Sequence, residues 1–228
     1  MERELVKISV RELVEFILRS GDIDNRVGGK RDSESMLAGA RIHRKIQRSM
    51  GSDYHAEVSL KYLIPMEKFD LQVEGRADGV IDGNPVTIDE IKGIYKSLEY
   101  LKEPVPVHLA QAKCYAYIYG VQNQKSEMDI QMTYVNLDTE QKLYFYEHYT
   151  IEELKKWFGN LVLEYKKWAE FRYEWKQIRN SSIKQLQFPY EYREGQKELA
   201  GSVYRSIFRE KRLFIQAPTG TGKTLAAM

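Results

Sequence analysis

Two acids and a lysine interrupt a pair of apolar segments that are separated by a turn. The segments read GRADGVI and VTIDEIKG, and they carry Asp78, Glu90 and Lys92. Side chains two residues apart on a strand share a face, so Glu90 and Lys92 point one way and Asp89 points the other. If the connecting loop holds three residues, 83–85, Asp78 lies opposite Glu90, whereas a loop of two residues would pair it with Asp89. Loop length therefore decides whether the two acids meet.

Paired carboxylates beside a lysine suit metal-dependent hydrolysis of a phosphodiester. A buried carboxylate is unfavourable without a compensating cation, and carboxylates prefer hard divalent ions such as Mg²⁺ or Mn²⁺. An imidazole from His43 would tilt that preference toward Mn²⁺. Lys92 would orient a water or stabilise charge that develops on the phosphoryl group. Glycosidases differ, because they use two free carboxylates without a metal and a lysine.

Each of these residues also has a purely structural interpretation. An isolated acid-x-lysine string is more often a solvated strand edge or a surface ion pair. A single histidine is more often a core or surface residue than a ligand. We interpret Arg76 as a solvated surface charge and Glu57 as an ordinary strand residue. The combination of residues, rather than any one of them, favours a catalytic site.

The elements that would position these residues alternate between helices and strands. Helices are predicted in SVRELVEFILRSGD, where Ser9 and Glu12 have capping-box spacing, and in SESMLAGARIHRKIQRSM. Three strands follow, in EVSLKYLIPM, LQVEGRADGVI and VTIDEIKG. A helix in PVPVHLAQAKCYAYIYG, a hairpin of MDIQMTYVNLD and KLYFYEHYT, and a long helix from the capping box of Thr150 and Glu153 to about Arg179 complete the pattern. This order indicates an α/β fold with a mixed central sheet flanked by helices.

Two of these helices carry apolar residues at helical spacing, and both stripes are predicted to face the core. The stripe of the second helix comprises Met36, Ala40, His43, Ile46 and Met50. The stripe of the long helix comprises Leu154, Trp157, Leu161, Tyr165, Trp168 and Trp175. We interpret the tryptophans as core residues rather than as a base-stacking surface.

The acidic motif resembles the core motif of the PD-(D/E)XK nuclease superfamily. GRADGVI followed by IDEIKG places Asp78, Glu90 and Lys92 at its D, E and K positions. This resemblance implies a restriction-endonuclease-like core. It also implies that Asp78 and Glu90 hold the metal, with the carbonyl of Ile91 as a further ligand.

Two flanking motifs are similar to the RecB-like branch of that superfamily. LAGARIHRKIQ resembles the helix with a metal-binding histidine, which implies that His43 is a ligand. QAKCY resembles the Q-x-x-x-Y helix of the branch, which implies that Gln111 and Tyr115 position the substrate or Lys92; alternatively, these two residues pack against the sheet. The resemblance covers about residue 9 to residue 149. Many relatives hold an iron–sulfur cluster with four cysteines, and this chain, with Cys114 alone, is expected to have none.

A second set of motifs begins where the composition changes, at NSSIKQLQFPYEYREGQ. QAPTGTGKT is typical of a phosphate-binding loop preceded by a strand, LFIQ, although the strict pattern has glycine where this chain has Ala217. FPYEYREGQ resembles the adenine-recognising segment of superfamily two helicases of the DinG/XPD type. The predicted nucleotide-binding residues are Gln196, Gly220, Gly222, Lys223 and Thr224.

Composition bounds the class of protein. The chain has 228 residues, 43% hydrophobic content and a net charge of +2, so nucleic-acid contacts must come from local basic patches. One cysteine cannot form an internal disulfide, and no apolar signal segment or membrane span is present. We expect a cytoplasmic protein with no membrane partner.

The sequence as a whole predicts a nuclease domain, residues 1–180, and the truncated start of a helicase motor, residues 181–228. We expect a Mg²⁺- or Mn²⁺-dependent DNA nuclease acting on single strands or DNA ends in repair or processing, within a longer nuclease–helicase. ATP would serve only that full-length parent, with the rest of the motor in cis, because the second metal contact, arginine finger and second lobe are absent here. The alternative is a non-catalytic DNA-binding or docking module of an ATP-dependent helicase.

Overall fold

The computed structural model describes residues 3–19, 30–185, 187 and 190–224, with the side chains of residues 30–36 outside the description. The chain divides into two compact units, Met1–Lys176 and Gln177–Met228. The division lies within the last long helix, a few residues before the predicted boundary at 180. What each segment does remains a prediction.

A six-stranded mixed sheet forms the centre of the first unit. Its strands run along one path in the order β1-β3-β4-β5-β6, and β2 also pairs with β3. The β1–β3 and β4–β5 pairs are parallel, whereas β2–β3, β3–β4 and β5–β6 are antiparallel. The strands are β1 (Leu5–Ser9), β2 (Tyr54–Pro65), β3 (Asp70–Ile81), β4 (Val86–Ile94), β5 (Glu127–Asn136) and β6 (Lys142–Thr150). The predicted α/β class with a mixed central sheet is confirmed, although the sequence analysis missed β1.

Four described helices accompany the sheet, and two of them, the first and the fourth, start at capping boxes. The described helices are α1 (Val10–Ile17), α2 (Lys30–Ser49), α3 (Pro106–Gln122), α4 (Ile151–Ile183) and, in the second unit, α5 (Gln196–Phe208), with a short 3₁₀ turn at Leu98–Tyr100. The capping box of Ser9 and Glu12 is formed. In the second predicted box, Thr150 N–H donates to Glu153 at 2.8 Å and Glu153 N–H to Thr150 Oγ1 at 3.3 Å. Both sequence predictions of a helix start are confirmed.

The main core lies between the sheet and helices α1, α3 and α4. Phe158 of α4 stacks on Tyr117 of α3 with ring centroids 4.7 Å apart and meets Tyr62 of β2 edge to face. The buried face of α4 consists of Leu154, Phe158, Leu161, Val162, Tyr165 and Ala169. These aromatic contacts hold α3, which carries Gln111 and Tyr115, against the sheet.

The predicted tryptophan stripe of α4 is wrong in part. Leu154, Leu161 and Tyr165 are buried as expected, but Trp168 is 43% exposed and Trp175 is 53% exposed. A seven-residue spacing drifts by about 20° per heptad around a straight helix. Residues 161, 168 and 175 therefore rotate progressively out of the core.

The predicted stripe of α2 is also shifted. Among the described side chains of α2, Ile42 and Ile46 are the buried ones and pack on Ile91 and Val135 in a small separate cluster, whereas Ala40 is exposed and His43 is half-buried. The side chain of Met36 lies outside the described residues. Two large residues four apart bury more apolar area than an alanine can, so the helix turns its Ile42 side to the sheet.

In the second unit, the strand predicted for LFIQ is absent. Residues 211–218 form no regular element, and Phe214 is 91% exposed. A strand needs a partner for its backbone groups, and the described part of this unit contains no other strand.

Among the described residues, no helix combines the length and apolarity that crossing a bilayer requires.

We expect Phe158→Ala to lower the free energy of unfolding by about 3–5 kcal/mol, because it leaves a cavity among stacked rings. Trp168→Ala, on the same helix, should cost less than half as much. Urea unfolding followed by far-UV circular dichroism measures both. Equal losses would show that the tryptophan stripe is part of the core after all.

Candidate active site

The β3–β4 hairpin has the register that brings the two acids together. Gly79 pairs with Asp89, Val80 with Ile88 and Ile81 with Thr87. Continuing this register by one residue places Asp78 opposite Glu90, as a three-residue loop requires. The predicted loop length is therefore confirmed.

Asp78 lies where the pairing of β3 and β4 ends, and its carboxylate joins three elements. Oδ2 accepts a hydrogen bond from the backbone N–H of Ile91 at 2.8 Å. Oδ1 lies 3.3 Å from Nδ1 of His43 on α2. The carboxylate thus fills the fork between β3 and β4 and holds the histidine helix against it.

His43 gains positive character from this contact. Burial lowers the pKa of His43, but the hydrogen bond and charge of Asp78 raise it more, so the pKa lies above its ordinary value. A doubly protonated imidazole must lose one of its two ring protons before one of its nitrogens can bind a metal.

Glu90 is a buried carboxylate with unsatisfied oxygens. It is 1% exposed, and neither oxygen has a hydrogen-bond partner among the described residues. Nζ of Lys92 lies 2.6 Å from Oε1, an ion pair without hydrogen-bond alignment. Burial raises the pKa of Glu90 to about 8, and the Asp78 charge adds to the rise, although Lys92 and His43 oppose it. The group needs a further cation to ionise at neutral pH.

Helix α3 contributes the two residues of the Q-x-x-x-Y motif. Gln111 accepts a hydrogen bond from Nζ of Lys92 at 3.2 Å. Tyr115 is 3% exposed, and a Cβ at Gly75 would lie 2.7 Å from its hydroxyl, so glycine permits this close approach. Burial raises the pKa of Tyr115, and the charge of Glu90 raises it further. Gln111 thus contacts Lys92 directly, while Tyr115 packs on β3 close enough to sense Glu90.

The donor set fits a divalent cation in part. Within the described residues, no group of three or more His, Cys, Asp and Glu side chains is assembled to hold a metal ion. His43 and Asp78 are in contact, the Glu90 oxygens have no hydrogen-bond partner among the described residues, and the peptide of Ile91 lies beside Asp78. Carboxylate, carbonyl and imidazole ligands of this kind suit Mg²⁺ or Mn²⁺. The metal triad remains a prediction.

Asp89 forms a separate polar network. It is fully buried, accepts from Thr133 Oγ1 at 2.6 Å, from the Tyr54 hydroxyl at 3.0 Å and from Gln131 at 3.1 Å. Burial raises the pKa of Asp89, and these three hydrogen bonds oppose the rise. The network explains why a second acid beside Glu90 does not join the site.

Three residues beside Asp78 were not predicted to contribute. The amide of Gln47, one turn after His43 on α2, donates to Glu57 Oε1 at 3.0 Å and to the backbone oxygen of Asp78 at 2.9 Å. Glu57 Oε2 lies 2.5 Å from Nε of Arg76. Glu57 has a φ of 58° inside strand β2, and left-handed backbone costs a non-glycine residue roughly 1–2 kcal/mol. Only motif spacing from His43 to Gln47 could have signalled this contact.

The predicted phosphate-binding loop of the second unit makes hydrogen bonds within itself and with Gln196. Gly220 and Gly222 have φ values of 85° and 72°. Nζ of Lys223 donates to the backbone oxygens of Ala217 at 2.7 Å and Pro218 at 2.9 Å. Gln196 donates to Thr221 O at 3.0 Å, and Thr224 is exposed. The nucleotide-binding roles remain predictions.

Comparisons with known proteins give partial structural likenesses. The fold is similar to the crystal structure of SSO0001, with 16% identity, a TM-score of 0.46, and coverage of 69% of this chain and 75% of that one. It is also similar to an alkaline exonuclease from Laribacter hongkongensis, with 11% identity, a TM-score of 0.39, and coverage of 79% and 95%. The same exonuclease in complex with dAMP gives 11% identity, a TM-score of 0.43, and coverage of 78% and 94%.

No protein-family model and no curated protein matches the chain. At these TM-scores the likeness of the backbones is partial. The case for an activity therefore rests on the side chains of the site.

The stability of the metal-free protein should depend on the protonation of Glu90. Its folded-state pKa of about 8 lies above the ordinary 4.5, so the stability that the neutral form provides is lost as pH rises from 4.5 through 8. Each unit between the two pKa values corresponds to about 1.4 kcal/mol. Glu90→Gln cannot ionise and should flatten this pH dependence, as urea unfolding in a chelating buffer would measure. If Glu90→Gln left the slope unchanged, the raised pKa of the buried Glu90 carboxyl would be contradicted.

Proposed function

We propose that the first unit is a metal-dependent nuclease that hydrolyses phosphodiester bonds of DNA. One observation carries this proposal: a buried Glu90, whose Oε1 has the Lys92 ion pair and whose Oε2 has no polar partner among the described residues, lies directly across from the Asp78–His43 contact. A stable fold without a ligand rarely keeps such a carboxylate unsatisfied. A divalent cation would supply the missing charge.

Asp78, Glu90, His43 and the carbonyl of Ile91 are the residues that would hold Mg²⁺ or Mn²⁺. The bound ion would lower the pKa of a water and offset charge on the phosphate. Asp78 keeps Oδ2 engaged with the Ile91 N–H, so its Oδ1 and a neutral nitrogen of His43 would be the groups available to the cation.

Lys92 is the residue best placed to act on the reacting atoms. Its Nζ, held between Glu90 and Gln111, would orient the attacking water and stabilise charge as the water oxygen bonds to phosphorus and the P–O ester bond breaks. The attacking water gives up one proton to solvent and the leaving alkoxide takes one up from solvent, so the products are a phosphomonoester and a free hydroxyl. Gln111 would position Lys92, and Tyr115 would support that helix face against β3.

The sequence motifs support a more specific proposal for the nuclease branch, the DNA substrate and the nucleotide site. The order of LAGARIHRKIQ, GRADGVI, IDEIKG and QAKCY supports membership of the RecB-like branch and action on single strands or DNA ends. The phosphate-binding loop, with Lys223 held by loop carbonyls, supports a nucleotide site of a DinG/XPD-type helicase. In that case ATP and the rest of the motor belong to the longer parent, which would act in DNA repair or processing.

Cleavage of end-labelled single-stranded DNA should require Mg²⁺ or Mn²⁺. Glu90→Ala should abolish it, and Lys92→Ala should lower kcat by about 10² or more, the usual loss for a group that stabilises developing charge. Lys223→Ala is the control, since that lysine lies in the second unit and should leave cleavage unchanged. Activity that survives both site variants would exclude this mechanism.

The absence of an assembled three-residue metal group among the described residues favours one alternative. In this alternative the nuclease fold is a non-catalytic module that binds DNA or docks on a motor, and Glu90–Lys92 is only an ion pair. Calorimetric titration with Mn²⁺ separates the two. We expect Mn²⁺ to bind the unsubstituted protein, and we expect Asp78→Ala to weaken this binding at least tenfold. No binding, or an affinity that Asp78→Ala leaves unchanged, would support the alternative.

A further inference from the structure

We propose that Arg76 binds a phosphate of the nucleic-acid strand, and that Glu57 holds its guanidinium beside Asp78 until the strand arrives. This inference rests on the proposed nuclease function and adds a substrate-binding residue to it. It starts from the Gln47–Glu57–Arg76 cluster, which neither the predicted motif nor the metal site uses.

The backbone of Glu57 is the first observation. Three other described non-glycine residues, Gln124, Glu140 and Glu210, also have positive φ values, but all three lie outside helices and strands. Glu57 alone among the described residues has this conformation within a strand. Such strain persists where the surrounding contacts enforce it, and it concentrates at functional sites.

Gln47 provides the enforcing contact. Its single amide nitrogen, with two hydrogens, donates to Glu57 Oε1 at 3.0 Å and to Asp78 O at 2.9 Å. Because Gln47 follows His43 by one helical turn, α2 places both side chains on the same side of the helix. The carboxylate of Glu57 is thereby fixed relative to the two predicted metal ligands.

Arg76 contacts the other oxygen of the Glu57 carboxylate and remains accessible to a nucleic-acid strand. Its Nε lies 2.5 Å from Glu57 Oε2, while its side chain is 66% exposed. No other carboxylate pairs with it in the described part of the chain. Contact through Nε leaves guanidinium N–H groups that match two phosphate oxygens, the bidentate geometry for which arginine is suited.

Charge explains why such a residue is needed. Asp78 and Glu57 add negative charge beside a substrate that is itself anionic, and Lys92 is already engaged with Glu90 and Gln111. An arriving phosphate can take the place of the Glu57 carboxylate as the partner of Arg76. An exposed ion pair is weak enough for this exchange, whereas a buried one would not be.

The test measures binding of a fluorescein-labelled oligothymidylate in Mn²⁺ by proteins that all carry Lys92→Ala, so that cleavage does not interfere. Adding Arg76→Ala should weaken binding about tenfold, the effect of one charge-assisted contact. It should also reduce the slope of log K against log salt by about 0.7, the value for one phosphate contact on a single strand.

Adding Glu57→Gln instead gives an effect of opposite sign. Gln keeps an oxygen for the Gln47 amide but no longer holds Arg76 by charge, so binding should tighten up to about fivefold at low salt. Lys68→Ala and Glu174→Gln are the matched controls, because each removes one partner of an exposed 2.8 Å ion pair near the other end of β3. Neither should change affinity or salt slope.

An unchanged salt slope in Arg76→Ala, or weaker oligonucleotide binding by Glu57→Gln, would overturn the inference. If the Arg76–Glu57 pair were merely structural, loss of either partner would weaken binding. Failure of the proposed function is distinguishable. If the proposed function fails, the protein with native Lys92 shows no Mn²⁺-dependent cleavage that depends on Glu90. If only the inference fails, this cleavage is intact and Arg76→Ala leaves its KM unchanged.

Discussion

The hydrogen bond from Ile91 N–H to the Asp78 carboxylate is the contact on which the candidate site depends. It is formed where β3 and β4 stop pairing through their backbones, so a side chain takes over the role of a ladder partner. One carboxylate oxygen thereby stabilises the fork, and the other faces His43. If the two strands stayed paired past Gly79, the Ile91 N–H would bond a backbone carbonyl of β3 and would not be available to the Asp78 carboxylate. Opening the fork is therefore what converts a hairpin into a place where acidic and basic side chains converge.

Glu90 shows the energetic side of the same arrangement. The site keeps a buried acid whose pKa is raised to about 8, with Lys92 as its nearest cation. That balance is unfavourable for an isolated fold and favourable for one that binds a divalent ion. The Asp89 network, one residue away, is the contrast: an equally buried acid is satisfied by three hydrogen bonds and has no capacity left for a ligand. Neighbouring acids of one strand thus differ: Asp89 is tied into the structure, whereas Glu90 lacks hydrogen-bond partners among the described residues.

Much of this was predictable from local patterns. Strand alternation placed Glu90 and Lys92 on one face and Asp89 on the other, and the residues of the Gly83–Pro85 loop fixed the register. Capping boxes located the starts of α1 and α4. The prediction for Trp168 and Trp175 failed for a local reason, because a straight helix drifts from a heptad spacing. Other predictions failed because the answer depends on distant partners: LFIQ forms no strand because the described part of its unit offers none to pair with. The left-handed Glu57 and its contact to Arg76 join separate strands, and beyond the helical spacing of His43 and Gln47 no local pattern signals them.

Strand β3 pairs with three partners, β1 beside its first half, β4 beside its last residues and β2 along nearly its whole length. Its neighbours come from residues 5–9, 54–65 and 86–94, and β4 in turn needs β5. As a ribosome releases the chain from its N-terminus, the acidic fork can therefore assemble only after most of the sheet has emerged. Until then Asp78 and Glu90 are ordinary solvated acids, which means that ion binding would report on completed folding rather than guide its early steps.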